Sequence, residues 1–110
     1  MQISKLDPRT RLSIEMALAG NRSAPALIHQ QDAAGARIGM CGAEIDAARA
    51  GRSFNVRGGR ALELALAFKR SDYRDARSCA VRAGFDDEAC REIEGIAVAH
   101  ASGAEANCHG

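Results

Sequence analysis

"NRSAPALIHQQDAAGARIG", residues 21–39, has the composition of a helix with a start and a stop signal. Ser23 is a preferred N-cap residue, Pro25 suits the first helical turn, and Gly39 suits the position just beyond a helix. Apolar residues recur between these signals at helical spacing: Ala24, Leu27, Ile28 and Ile38. The stretch therefore predicts an amphipathic helix that begins near Ser23 and ends at Gly39.

Similar signals predict helices on both sides of this stretch. Asp7-Pro8 is an N-cap followed by a first-turn proline, and it predicts a first helix that runs to about Gly20. Cys41 stands at the N-cap of a short third helix that runs to about Ala50. Glu44 then occupies the capping-box position of that helix, although a thiol is a poor capping acceptor.

The second part of the chain predicts a linker, three further helices and a tail. The linker is the Gly- and Arg-rich stretch Gly51–Gly59. The helices run from Gly59 or Arg60 to Lys69, from a Ser71 or Asp72 cap to Gly84, and from an Asp86 cap to fraying near Ser102-Gly103. Residues 104–110 predict a disordered tail, so we expect a single helical domain over 1–103.

The two halves of the chain resemble each other. "MALAGNRS" (16–23) and "LALAFKRS" (64–71) share Ala, Leu, Ala, Arg and Ser in register. Each is followed by a helix, a glycine and a large apolar residue, Gly39-Met40 in the first copy and Gly84-Phe85 in the second. We interpret this as an internal duplication of a helical unit, with three more residues between serine and glycine in the first copy.

Composition limits the classes of function. Apolar residues are 46% of the 110 residues but aromatic residues only 4%, which indicates an Ala-rich helical core that gains stability by self-association. A net charge of +1 provides no electrostatic attraction to nucleic acid or to a membrane surface. Neither a secretory signal nor an apolar run of about 20 residues is present, so we expect the cytoplasm and reduced cysteines.

One rival class is a DNA-binding helix-turn-helix, because the segment around Gly84 has a suitable spacing. The recognition helix would then be "DDEACREIEG" (86–95), which carries five acidic residues and one arginine. Phosphate would repel such a helix, since affinity for DNA depends on cations. The sequence therefore predicts no nucleic-acid partner.

Taken in order, three segments resemble the carboxymuconolactone decarboxylase and alkylhydroperoxidase D (AhpD-like) superfamily. They are "LDPRTR" (6–11), "AAGARIGMCGAEIDAAR" (33–49) and "RSDYRDARSCAVRAGFDDEACREIEGIAVA" (70–99), and together they cover most of the chain. The resemblance implies an all-α, AhpD-like orthogonal helical bundle of about six helices in two related halves. It also implies a homo-oligomer, a trimer or a hexamer.

The same resemblance implies a site that this chain has lost. The peroxidase branch carries a C-x-x-C-x-x-x-H run on its second helix and a glutamate on the helix before. Alignment without a gap places the glutamate on Leu12, the two cysteines on Ala24 and Leu27, and the histidine on Gln31. The decarboxylase branch also keeps a histidine at the position of Gln31. These four residues supply neither the thiolate nor the base that peroxide reduction needs.

Displaced groups are the alternative source of activity. Cys41, at a helix N-terminus, is one candidate, since that position lowers the pKa of a thiol. His29 is the other, but it lies two residues before Gln31 and so about 200° around the helix, where an exposed polar residue is the simpler interpretation.

Other reactive or charged residues have simple structural interpretations. Cys79 and Cys90 flank the Gly84 turn and are expected to be buried core thiols that face each other across two helices. Cys108-His109 in the tail is a weak metal motif, and we predict no metal and no cofactor. Three arginines near the linker predict a solvated surface rather than an anion site: Arg52, Arg57 and Arg60.

Two hypotheses follow. The first is a superfamily member that has lost the redox cysteine pair and acts as a non-catalytic module, either structural or binding a small apolar ligand near Leu12, Ala24, Leu27 and Gln31. The second is an enzyme of the alkylhydroperoxidase or decarboxylase type that uses Cys41 or His29.

Overall fold

Six α-helices account for most of the chain. The computed structural model describes residues 6–20, 24–68 and 70–107, and no strand occurs within those ranges. The helices are α1 (Pro8–Ala19), α2 (Pro25–Arg37), α3 (Gly42–Arg49), α4 (Val56–Ala67), α5 (Tyr73–Arg82) and α6 (Asp87–Asn107). The predicted all-α class with six helices is confirmed. No helix within the described ranges is long and apolar enough to cross a bilayer.

The first helix of each half begins, ends and buries its side chains at equivalent positions. Both bounds of α4 lie 48 residues after those of α1. The N-caps, Asp7 and Asn55, obey the same shift, and each side chain accepts a hydrogen bond from the backbone N–H three residues later, at 2.7 and 2.5 Å. The buried residues of α1 also have buried counterparts 48 positions later: Ile14, Met16, Ala17 and Ala19 correspond to Leu62, Leu64, Ala65 and Ala67.

The second and third helices of each half are joined by the same glycine turn. Gly39 and Gly84 have φ of +89° and +110°, and the residue after each donates back into the preceding helix. These bonds are Met40 N to Gly35 O at 2.9 Å and Phe85 N to Ala80 O at 3.1 Å, as in a Schellman motif. Equivalent residues of the two halves are 45 positions apart at this turn rather than 48, because α2 has 13 residues and α5 has 10. The three extra residues predicted from the sequence therefore lie within α2.

The core is centred on α1 and α4, which pack against each other. Its main cluster includes Ile14, Leu62, Leu64, Phe85 and Ile93, with α6 packed across both central helices. A smaller cluster under α1 and α3 consists of Met16, Met40, Ile45 and Ala48. The helix α2 packs mainly on α1, so it is the most peripheral of the six.

The predicted start of the fourth helix is wrong, and two other helix bounds differ in position from the prediction. The fourth helix begins at Val56 rather than at Gly59 or Arg60, because Asn55 caps it inside the stretch expected to be a linker. The last helix continues to Asn107, through residues expected to belong to a disordered tail. Ala and Glu are strong helix formers there, and one glycine costs only about 1 kcal/mol. The second helix begins at Pro25 after an Ala24 N-cap, and Ser23 lies outside the described residues.

The cap of α3 also differs from the prediction. Cys41 is the N-cap residue but makes no side-chain capping bond, as expected of a thiol. Glu44 does not complete a capping box, because it pairs instead with Arg9 at 3.4 Å. Met40, just before the N-cap, and Ile45, at the fourth helical position, are both buried, which is the arrangement of a hydrophobic staple.

A polar network joins α5 to α6 at their outer edge. The Tyr73 hydroxyl donates to Glu94 Oε2 at 2.6 Å, and Arg77 Nε donates to the same oxygen at 3.1 Å. Arg77 also donates to Asp87 through Nη2. The hydrogen bond to Glu94 raises the pKa of Tyr73, and the guanidinium of Arg77 lowers the pKa of Asp87.

Asp87→Asn is expected to reduce the acid sensitivity of the fold. A carboxylate with a lowered folded-state pKa stabilises the protein above its ordinary pKa, and this contribution is lost as pH falls through the folded value. Urea denaturation across the acidic range should therefore show a shallower loss of stability for Asp87→Asn than for the parent. Asp46→Asn, at an exposed position on α3, is the control. Equal pH dependence in parent and Asp87→Asn would contradict the role of the ion pair.

Gly84→Ala is expected to lower the free energy of unfolding by about 1 to 2 kcal/mol, because a Cβ is strained at a left-handed φ. The added Cβ would not clash, since its nearest neighbour, Arg57 Nε, would lie at an ordinary contact distance of 3.6 Å. Gly95→Ala, within α6 and with nothing within 4 Å, should instead raise it by about 0.5 to 1 kcal/mol. Denaturation that gives both variants the same sign would contradict this account.

Candidate small-ligand cleft

An open cleft of about 470 Å³ lies between α1, α2 and α6. Its apolar lining residues are Leu12, Leu18, Leu27, Ala34, Ile96 and Ala99. Its polar and charged lining residues are Arg11, Glu15, Gln30, Gln31 and His100. A concave, mostly apolar surface with a few polar groups is the usual form of a small-molecule site.

Three of the four positions aligned with the superfamily site line this cleft. Leu12 comes from α1, and Leu27 and Gln31 come from successive turns of α2. Ala24 does not belong to the lining; it is the exposed N-cap residue of α2. The structure therefore brings together residues that the sequence places on two separate helices.

Gln31 is the least ordinary residue of the cleft. Only 7% of it is exposed, and its Oε1 has no hydrogen-bond partner within the described part of the chain. Burial of an unpartnered polar atom costs about 1–3 kcal/mol, so such an atom requires an explanation. Helical spacing places Gln31 on the same side of α2 as Ala24 and Leu27, but no sequence pattern shows that its amide oxygen lacks a partner.

Two contacts hold α2 in the orientation that buries Gln31. A Cβ at Gly35, one turn later, would lie 3.1 Å from Ile45 Cδ1 and 3.3 Å from Met16 Cε, so glycine permits the close approach of α2 to the core. Arg49 of α3, only 9% exposed, donates from Nη2 to Ile28 O at 2.9 Å. The same nitrogen lies 2.7 Å from Asp32 Oδ1.

Sequence reasoning missed the role of Arg49, which stands in a short helix among alanines and has no motif around it. Its Nε is buried without a partner, as is Gln31 Oε1. The Asp32 Oδ1 atom likewise makes only an ion-pair contact, whose geometry is not that of a hydrogen bond. More of the buried polar atoms around α2 therefore lack hydrogen-bond partners than of those that join α5 to α6.

Neither displaced candidate lies in the cleft. Cys41 is exposed at the start of α3, and His29 is exposed on α2, as the helical geometry predicted. The cleft lining contains no thiol among the described residues. Thiol-dependent peroxide chemistry therefore has no group to carry it there.

The two remaining described cysteines have different environments. Cys90 is fully buried, and burial raises the pKa of its thiol. Cys79 is only half-buried and lines a second cleft, so the prediction that both are core thiols is wrong for Cys79. It shares the lining of that cleft with Leu66 and Asp75.

The arginines near the start of α4 do not form one cradle. Arg57 lies over the ring of Phe85 at 4.1 Å, and Arg60 pairs with Glu63 at 3.0 Å. Cys108-His109 lies outside the described residues. Within the described ranges, no group of His, Cys, Asp and Glu side chains is arranged to hold a metal ion.

Gln31→Met is expected to raise the free energy of unfolding by about 1 kcal/mol in the absence of ligand, because it removes a buried acceptor without a partner. Gln30→Met, at the exposed neighbouring position, should change it by less than about 0.5 kcal/mol. Urea denaturation of the three proteins measures both effects. A clear destabilisation by Gln31→Met would mean that Oε1 is satisfied in solution.

Comparison with known proteins identified no matching family model, no matching curated protein and no matching solved structure. The superfamily resemblance therefore stays a prediction from the sequence.

Proposed function

We propose that this chain is a non-catalytic module of the carboxymuconolactone decarboxylase and alkylhydroperoxidase D superfamily that binds a small, largely apolar ligand. The observation that carries the proposal is that Leu12, Leu27 and Gln31, from two helices, line one cleft. These are positions where the superfamily keeps its reactive groups. The redox site would thus have become a binding site by replacement of its reactive side chains.

The chemistry of the cleft supports binding rather than catalysis. Leucine, isoleucine and alanine side chains form most of its wall, and burial of apolar ligand surface against them contributes about 25 cal/mol per Å². Gln31 offers a neutral amide, which can orient a ligand by hydrogen bonding but cannot exchange a proton near neutral pH. The binding role therefore requires no cofactor and no metal.

The alternative is an enzyme that uses Cys41 or His29, and no contact of either residue favours it. Both are exposed and lie outside the cleft. Peroxide reduction by the purified protein that is lost on Cys41→Ser or His29→Ala would overturn the non-catalytic proposal.

The proposal includes a cytoplasmic homo-oligomer, a trimer or a hexamer, in which α2 contributes to the interface. Support comes from the apolar side chains that α2 leaves exposed. Leu27 is 39% exposed and Ile38 is 37% exposed, although both are large apolar residues. Burial of this helix between copies would add apolar area to a small, Ala-rich core.

Ala34→Phe is expected to abolish ligand binding, because the added ring would occupy the cleft beside Gln31. Cyclohexanol is a suitable neutral probe, and NMR titration should show saturable shifts of the cleft methyl groups in the parent alone. Ala33→Phe, at the adjacent exposed position, is the matched control and should bind as the parent does. Binding that survives Ala34→Phe, or that is absent from the parent, would overturn the proposed site.

Sedimentation equilibrium at micromolar concentration is expected to give three or six times the chain mass of 11.6 kDa. Leu27→Glu and Ile38→Glu should each lower the average mass, because they place a charge on the exposed apolar side of α2. A folded monomer for the parent would contradict the oligomer.

A further inference from the structure

We propose that the ligand of the cleft is a small amine, with an apolar body against the leucine wall and a protonated amino group paired with Glu15 and donating to Gln31 Oε1. This inference rests on the proposed function, since it names the ligand class of the same cleft. It is carried by two independent features: an acidic side chain without a counterion and a buried acceptor without a donor.

Glu15 lies in the cleft and has no ion-pair or hydrogen-bond partner within the described part of the chain. The internal repeat shows what has changed. Its counterpart 48 residues later, Glu63, is paired with Arg60, whose Nη1 lies 3.1 and 3.0 Å from its two carboxylate oxygens. The residue equivalent to Arg60 in the first half is Leu12, which carries no charge. The first half thus keeps the carboxylate but replaces its cation with part of the apolar wall.

The other charged groups of the cleft do not supply that cation. Arg11 donates from Nη1 to Glu92 Oε2 at 2.9 Å, so its charge is already compensated. His100 is the remaining titratable side chain of the lining. Of the two charged lining residues, Arg11 has a carboxylate partner and Glu15 has no ion-pair partner among the described residues.

Gln31 Oε1, like the carboxylate of Glu15, is an acceptor that a ligand would have to supply with a hydrogen-bond donor. It is an acceptor on a residue that is 93% buried, and the structure supplies no donor to it. An alkylammonium group has three N–H donors and no acceptor, so it carries enough donors for both oxygens. Hydrogen bonds that involve an ionised group are about twice as strong as neutral ones.

The same features discriminate against related ligands. A carboxylate would bring a second negative charge beside Glu15 and no donor for Gln31. An alcohol would offer one neutral donor and no charge. If all three compounds share one aliphatic chain, that chain contacts the same apolar wall in each case. Differences in their affinities then measure only the interaction of the head group with the polar residues of the cleft.

Hexylamine, hexan-1-ol and hexanoate, titrated at pH 8 and followed by NMR shifts of the cleft residues, test the proposal. We expect hexylamine to bind about tenfold more tightly than hexan-1-ol, and hexanoate to bind most weakly. Glu15→Gln should weaken hexylamine about tenfold and leave hexan-1-ol unchanged. Glu63→Gln, the repeat-equivalent control, should change neither, and Gln31→Met should weaken both.

The outcomes separate this inference from the proposed function. Equal affinity for hexylamine and hexan-1-ol, or tightest binding of hexanoate, would overturn the amine but leave a small-ligand cleft. Saturable binding of none of the three compounds would overturn both. Equal effects of Glu15→Gln and Glu63→Gln would place the amine outside this cleft and so overturn the inference. Circular dichroism of each variant checks that the fold is retained.

Discussion

The left-handed glycine turn is the constraint on which each half of this protein depends. Gly39 and Gly84 allow the chain to reverse immediately after a helix, and the next residue donates back to close the turn. That next residue, Met40 or Phe85, is then buried and fixes the helix pair against the core. The direction of α3 and α6 follows from this geometry, because each begins two residues after its buried anchor.

Differences between the repeats explain the cleft better than the repeats themselves. In the second half, Arg60 pairs with Glu63, and Arg77 pairs with Asp87 and Glu94. The first half carries leucine where the second carries Arg60. Its Gln31 stands 48 residues before Cys79, a position that lines the smaller second cleft. The buried side-chain atoms without a hydrogen-bond partner in the described part of the chain all lie in the first copy, on Gln31, Asp32 and Arg49.

This divergence bears on how a redox scaffold could change its role. Thiol chemistry needs a thiolate, a base and a resolving thiol held within a few ångströms. If the chain belongs to the superfamily as proposed, replacement of those groups by leucine and glutamine would remove the reaction and retain the concave wall and its helices. A cavity of that kind keeps the energetic cost of an unpaired amide oxygen, and a bound donor is one means of offsetting it.

The sequence determined the helices, because caps, prolines, glycines and apolar spacing act over a few residues. It also predicted the duplication, whose helix bounds and buried positions repeat. Local patterns placed the start of α4 too late, because the capping role of Asn55 was not recognised. They placed the end of α6 too early, because Gly103 is only a weak stop signal. Tertiary packing alone decided that Leu12, Gln31 and Ile96 share a cleft, that Arg49 fixes α2, and that Cys79 stays outside the core. Such contacts join residues far apart in the chain, and local propensity carries no information about which polar atoms will lack a partner.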